Sequence, residues 1–157
     1  MATVTKKRLS QAQQHAAPYG NRFGQIFNFQ TTAAGVAVDT DLATAVQVND
    51  VIRIGILPAG LEIHRGEAII SDAFAATTTA DVGFLYVDGV DSTAVPQNAA
   101  YFHSALSTSS TSRTPSAAKA PVRLPKDAYL VVTRKGAADS AVGVLDYLVT
   151  GTLTGPN

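Results

Sequence analysis

The sequence has no cysteine, no tryptophan and a single methionine among its 157 residues. Without cysteine the chain forms neither disulfide bonds nor thiolate metal sites, which is typical of a protein that folds in a reducing cytoplasm. No run approaches the roughly 18 apolar residues of a membrane-spanning helix, so we expect no membrane partner. The chain also starts without the apolar segment of a secretory signal peptide, and none is expected.

Charge is scarce as well, since only 15% of the residues are charged. A surface this poor in charge indicates either that a partner covers part of it or that serine and threonine supply its polarity. The net charge is zero, but four cations precede the first acid, Asp39, so the remainder of the chain carries −4. These cations are Lys6, Lys7, Arg8 and Arg22. Three adjacent cations without interleaved aromatic residues are a weak nucleic-acid footprint, and no direct nucleic-acid partner is predicted.

The composition divides the chain into two parts. Residues 1–24 are polar, basic and rich in glutamine, and they lack the apolar side chains needed to build a core. We predict an extended N-terminal arm over 1–24 and a folded domain over 25–157. The arm is expected to be disordered in the free protein and ordered by a partner.

Apolar residues in the domain alternate with the period of β-strands, and no helical period follows residue 25. Strands are predicted near 25–30, 36–38, 44–48, 51–57, 61–74, 82–87, 99–106, 128–133 and 142–153. With about eight antiparallel strands and irregular turns rich in glycine and proline, the fold class is all-β, a jelly-roll-like two-sheet sandwich.

Parity along the strands predicts which side chains form the core. Adjacent isoleucines at 69 and 70 break the alternation, so a bulge or bend is expected at Gly66. Residues 58–60 form a predicted turn, in which Gly60 is free to adopt a positive φ. The stretch 104–116, rich in serine and threonine, is predicted to be a loop. The predicted core side chains are Ile52, Ile54, Ile56, Leu145, Tyr147 and Val149.

Side chains that could carry chemistry form no catalytic pattern. His15, His64 and His103 are not at metal-ligand spacing, and no nucleophile motif accompanies them. Asp88 and Asp91 resemble part of a calcium loop, but a hairpin turn also explains an Asp-Gly pair. We therefore predict no enzyme activity, no catalytic residue, no metal site and no cofactor.

Aromatic residues cluster where the arm meets the domain. We expect Phe27 and Phe29 to enter the core, whereas Tyr19 and Phe23 anchor the arm on a neighbouring subunit. The alternative is that all four pack locally. Together with the cations, this gives the predicted partner-binding residues, which are Lys6, Lys7, Arg8, Tyr19, Arg22 and Phe23.

Three segments resemble a family of phage structural proteins. Residues 55–60 match G-x-L-P-A-G, residues 81–89 match D-x-G-x-x-Y-x-D-G, and residues 127–133 match D-A-Y-L-V-V-T. The resemblance spans roughly 50–153 and concerns strand and turn residues. It is to the jelly-roll cement, or decoration, proteins on the outside of the icosahedral heads of tailed bacteriophages.

The resemblance implies a structural virion protein on the capsid exterior that stabilises the shell by bridging major capsid subunits. Its implied partners are the major capsid protein and further copies of itself, as a dimer or trimer. The family brings no active-site residues. Other functions remain open: a carbohydrate-binding or adhesion module, a tail or baseplate component, and a hydrolase or isomerase on a jelly roll, for which no metal or carboxylate constellation is evident.

Overall fold

The computed structural model describes residues 1–6 and 21–154, which contain ten β-strands and no helix. The fold-class prediction of an all-β two-sheet sandwich is confirmed, with ten strands in place of about eight. The strands are β1 Thr3–Thr5, β2 Arg22–Thr31, β3 Val51–Leu57, β4 Leu61–Asp72, β5 Thr79–Tyr86, β6 Asn98–Ser107, β7 Ser112–Pro115, β8 Val122–Arg123, β9 Ala128–Lys135 and β10 Gly143–Leu153.

Each layer of the sandwich is a five-stranded sheet. The first has the order β1-β3-β9-β5-β6, and the second has the order β2-β10-β4-β7, with β8 also pairing β4. Every named pair is antiparallel except β1 with β3, which is parallel. The inner faces of the two sheets enclose one apolar core.

The end of β3 differs from the predicted parity. Ile52 and Ile54 are buried as predicted, but Ile56 is only half-buried, so its assignment to the core is wrong. A register shift between Arg53 and Gly55 against β9 adds one residue and turns Gly55 and Leu57 inward. Gly55 suits this position because a β-carbon there would collide with the ring of Phe27.

The break in parity along β4 is real, but it precedes Gly66. The pairing with β10 skips His64, between Thr150 and Gly151, so the bulge lies two residues before the predicted one. Gly66 has a different role: a β-carbon at this position would collide with the Tyr147 side chain. The sequence therefore correctly indicated a break in alternation along β4, but Gly66 serves to make room for the Tyr147 side chain.

The remaining core predictions are confirmed. Leu145, Tyr147 and Val149 on β10 are buried, as are Phe27 and Phe29 on β2. The predicted turn at 58–60 is also present, with a φ of 77° at Gly60. Strand β10 lies between β4 and the edge strand β2, and both β10 and β2 contribute side chains to the core.

Three local predictions are wrong, one of them the strand at 36–38, where Val36 and Ala37 form only isolated bridges. Residues 104–116 are largely strand, because β6 extends to Ser107 and β7 covers Ser112–Pro115, where β4 supplies the backbone partners. Residues 44–48 form no strand and contribute one isolated bridge, between Val36 and Ala45. Threonine-rich sequence is compatible with either state, and the availability of a neighbouring strand determines which one forms.

The start of the chain is partly built into the first sheet. Thr3–Thr5 pair with Val51, Ile52 and Arg53 of β3, and Val4 is buried. These residues belong to the range predicted as an arm, so the sheet includes its first few residues. The division of the chain at residue 24 stays a prediction, since residues 7–20 lie outside the described ranges.

Candidate subunit-binding surface

Strand β2 forms one edge of the second sheet. Its backbone N–H and C=O groups point toward β10 at every second residue and away from β10 at the residues between. The amide of Leu153 donates to the carbonyl of Asn21, which fixes Asn21 as a hydrogen-bonded partner of β10. Alternation in an antiparallel ladder then directs the backbone groups of every second residue away from β10. The outward residues are Arg22, Gly24, Ile26, Asn28 and Gln30.

Part of this edge is occupied within the chain. The amide of Val38 donates to the carbonyl of Gln30 at 2.8 Å, and Lys6 Nζ donates to the carbonyl of Asn28 at 2.6 Å. Among the described residues, no hydrogen bond reaches the outward groups of Arg22, Gly24 or Ile26. With respect to residues 1–6 and 21–154, the first half of β2 is thus an open strand edge.

The outer face of the second sheet is apolar next to this edge. The side chain of Ile26 is 60% exposed and stands opposite the half-buried Leu148 of β10. In the next row, Asn28 lies opposite Asp146 and donates a hydrogen bond to its carboxylate at 2.8 Å. An exposed aliphatic side chain beside a carboxylate offers apolar contact and charge to a partner.

Farther across this face, β4 and β7 carry an ion-pair cluster that the sequence analysis missed. Arg113 donates two hydrogen bonds to the carboxylate of Glu67, at 2.8 and 3.1 Å, and Arg65 lies 3.5 Å from the same group. The hydrogen bond from Arg113 holds the pKa of Glu67 below its usual value. Glu67 and Arg113 are 46 residues apart, and no spacing in the sequence indicates that they meet.

Of the predicted partner-binding residues, Lys6 is engaged within the domain. Besides the bond to Asn28, its backbone bridges to Thr40. Burial lowers the pKa of its ammonium group, while Asp39 and Asp146 act in the opposite direction. The structure thus assigns Lys6 an intramolecular contact that protects the β2 edge.

The other predicted partner-binding residues separate into two groups. Arg22 is exposed at the start of β2, and Phe23 is half-buried against the core. The predicted residues Lys7, Arg8 and Tyr19 lie outside the described ranges. The structure therefore brings Lys6 and Arg22 to the same strand edge and turns Phe23 toward the core.

The described histidines are not arranged for catalysis. His64 is exposed and lies 3.3 Å from Glu62, whereas His103 is buried beside the ring of Tyr147. Burial lowers the pKa of His103 and favours its neutral form. His15 lies outside the described ranges.

The calcium-like pair of aspartates shapes a loop. Asp88 accepts hydrogen bonds from the amide of Val90 and from Lys126, and Asp91 accepts the amides of Ser92 and Gln97. In the described parts of the chain, no three histidine or acidic side chains are grouped as they would be to hold a metal ion. These contacts support the turn interpretation of the Asp-Gly pair.

Residues 1–6 and 21–154 include no helix with the length and apolar character required to span a membrane.

Sequence comparisons match no protein family and no curated protein. Comparison of the fold gives similarity over nearly whole chains in solved phage structures. One is the capsid of Ralstonia phage GP4, with a TM-score of 0.67 and 11% identity, covering 98% of this chain and 99% of that one. Another is the capsid asymmetric unit of cyanophage Pam1, with a TM-score of 0.55 and 16% identity, covering 92% and 95%. At these identities the similarity establishes the fold.

Proposed function

We propose that this protein is a non-enzymatic structural component of a phage virion, and specifically a cement protein on the outer surface of the capsid. The observation that carries the proposal is the fold similarity to chains of two phage capsids, which extends over whole chains in both directions. The strand and turn pattern over 50–153 supports the same family. In this proposal the protein bridges major capsid subunits and thereby stabilises the shell.

The surface of the domain suits such a role. Its second sheet offers the exposed Ile26, a network of charges around Glu67 and a backbone edge that the described residues leave open. No described cluster offers competing metal chemistry. Copies repeated over a particle would let individually modest contacts resist shell expansion together.

The cations near the N-terminus form the second part of the proposal. Lys7, Arg8 and Arg22 would meet acidic groups on a capsid subunit, while Tyr19 would supply an apolar anchor. Lys6 belongs to the same predicted set, and its ammonium group also donates to the carbonyl of Asn28 within the domain. The contact would weaken with salt, as expected for partly exposed charges.

Reconstitution on particles stripped of this protein tests the proposal directly. We expect saturable binding in many copies to the outer surface and an increase in the temperature at which the particles release their DNA. Binding in only a few copies at a tail vertex would favour a tail or baseplate component. Absence of binding would contradict the cement function.

The charge contribution can be measured with a matched pair of variants. Replacing Lys7 and Arg8 by Gln should weaken binding to particles and flatten its salt dependence. The control replaces Lys126 and Lys135 by Gln, which removes the same charge elsewhere on the chain. Equal weakening in both variants would reduce the effect to net charge and contradict a specific role for the N-terminal cations.

A further inference from the structure

The edges of the two sheets are protected to different degrees. The edge of β1 is covered by the loop that contains Asp41, which exchanges hydrogen bonds with Thr5. The edge of β7 is only four residues long and ends in Pro115. Short edges, prolines and covering loops are common means of preventing strand addition.

The edge of β6 is irregular. Its register against β5 shifts twice, and Ala105 has a φ of 52°. The carbonyls of Tyr101 and Phe102 accept hydrogen bonds from Lys119 and from the amide of Ala117. In the described chain, the first half of β2 is therefore the long, regular edge without such protection.

We infer that this edge pairs with the same strand of a second copy, so that two protomers form one continuous sheet across a two-fold axis at Gly24. In an antiparallel pairing centred there, Gly24 lies opposite Gly24 of the second copy and Arg22 lies opposite Ile26. Each outward residue then exchanges backbone hydrogen bonds with its partner. The inference specifies the self-association within the proposed function but does not depend on shell binding. It places Arg22 in the contact between copies, which leaves Lys7 and Arg8 as the cations for a capsid subunit.

The occupied part of β2 selects this register. An axis at Ile26 would place Arg22 opposite Gln30, whose carbonyl already accepts the amide of Val38. An axis at Arg22 would place two arginines directly opposite each other, which is unfavourable. An axis at Gly24 avoids both conflicts, and a glycine with open space around it lets the two backbones approach.

Charge complementarity favours a second copy as the occupant. The exposed Arg22 has no ion pair in the described structure. In the Gly24 register it lies diagonal to Asn28 of the other copy, a separation that long side chains span. Asn28 holds Asp146 on β10, one strand farther from the arginine, so the pairing brings each Arg22 toward a carboxylate of the other copy, twice by symmetry.

Sedimentation of the purified full chain over a range of concentrations tests the pairing. We expect a reversible dimer whose dissociation constant rises at least about tenfold in Ile26→Lys, because edge lysines oppose strand addition. The control is Val90→Lys, which introduces the same charge at another side chain that is 61% exposed. A monomer at all concentrations, or equal effects of the two lysines, would overturn the inference.

Three further measurements address the register and the occupant. Gly24→Pro removes an outward amide and should dissociate the dimer, while an unchanged melting temperature of the monomer shows that the fold is intact. Arg22→Asp should weaken the dimer, and Arg22→Asp combined with Asp146→Arg should restore it. Slow hydrogen exchange at Gly24 and Ile26 should require high protein concentration. Protection that is independent of concentration would show that the chain covers its own edge, and would overturn the inference.

Discussion

The guanidinium group of Arg134 is fully buried against the carboxylate of Asp139, with Nε 2.9 Å from Oδ2. Its Nη1 atom donates a hydrogen bond to Thr108 at 2.8 Å, and its Cζ lies 4.6 Å from the centre of the Phe74 ring. Because Thr108 also donates to Thr78, this ion pair joins the ends of several loops at one end of the sandwich. It is a structural element of the core, and the guanidinium also lies 5.7 Å from the centre of the Phe29 ring on β2.

Arg134→Met should lower the free energy of unfolding by about 3–5 kcal/mol, because it leaves the Asp139 carboxylate buried without its partner. Combining it with Asp139→Leu should restore much of the loss, since the orphaned charge is then removed as well. Urea unfolding of both single variants and the double variant completes the cycle. Arg65→Met, at an exposed cation, is the control and should change little. Additive losses in the cycle would argue against coupling.

The stability of the protein should depend on pH through Asp139. Burial raises the pKa of this carboxyl group to about 6, against the attraction of Arg134. Between about pH 4 and pH 6 the Asp139 carboxyl group is therefore protonated in the folded state and ionised in the unfolded chain. This contribution to stability therefore falls as pH rises through that window, by up to about 1.4 kcal/mol per pH unit. Asp139→Asn should remove the contribution, and identical pH profiles of the two proteins would contradict it.

A pair of isoleucines tests the bulge in β3. Ile54→Ala should cost about 2–5 kcal/mol of unfolding free energy, because it opens a cavity in the core. Ile56→Ala should cost less, about 1 kcal/mol, since this side chain is half-buried beyond the bulge. Chemical denaturation measures both on the same scale. Equal losses of unfolding free energy in the two variants would indicate that Ile56 lies on the core face, as unbroken alternation predicts, and would contradict the bulge.

Removal of divalent metal ions should leave the melting temperature unchanged. Asp88 and Asp91 already accept hydrogen bonds from loop amides and Lys126, and no described cluster has the side chains of a metal site. Calorimetry with and without a chelator provides the measurement. A lower melting temperature that added calcium restores would identify this loop as a cation site instead.

Replacement of His64 or His103 by Gln should leave binding to particles intact, since neither side chain belongs to a catalytic arrangement. His103→Gln is expected to alter stability as well, because the imidazole is buried against Tyr147. Particle binding at a temperature where both variants remain folded separates the two effects. Loss of binding in the exposed His64 variant alone would place that residue in an interface.

The sequence by itself determined the fold class and much of the core. Alternation on β10 identifies Leu145 and Tyr147 as inward residues because side chains on a strand alternate faces with a period of two. The same rule failed at Ile56, since one extra residue in a bulge reverses every later side chain and carries no local signature. Gly60 was predictable because its turn requires a backbone conformation that depends on neighbouring residues alone.

Only the tertiary structure decided which strands lie at the sheet edges and which side chains meet across them. Arg113 reaches Glu67, and Lys6 reaches the carbonyl of Asn28, through strand pairing between distant parts of the chain. The cations near the N-terminus look equivalent in sequence, yet Lys6 is bound within the domain and Arg22 is exposed on an open edge. Composition specifies how many charges a chain carries, and long-range pairing determines which of them remain available to a partner.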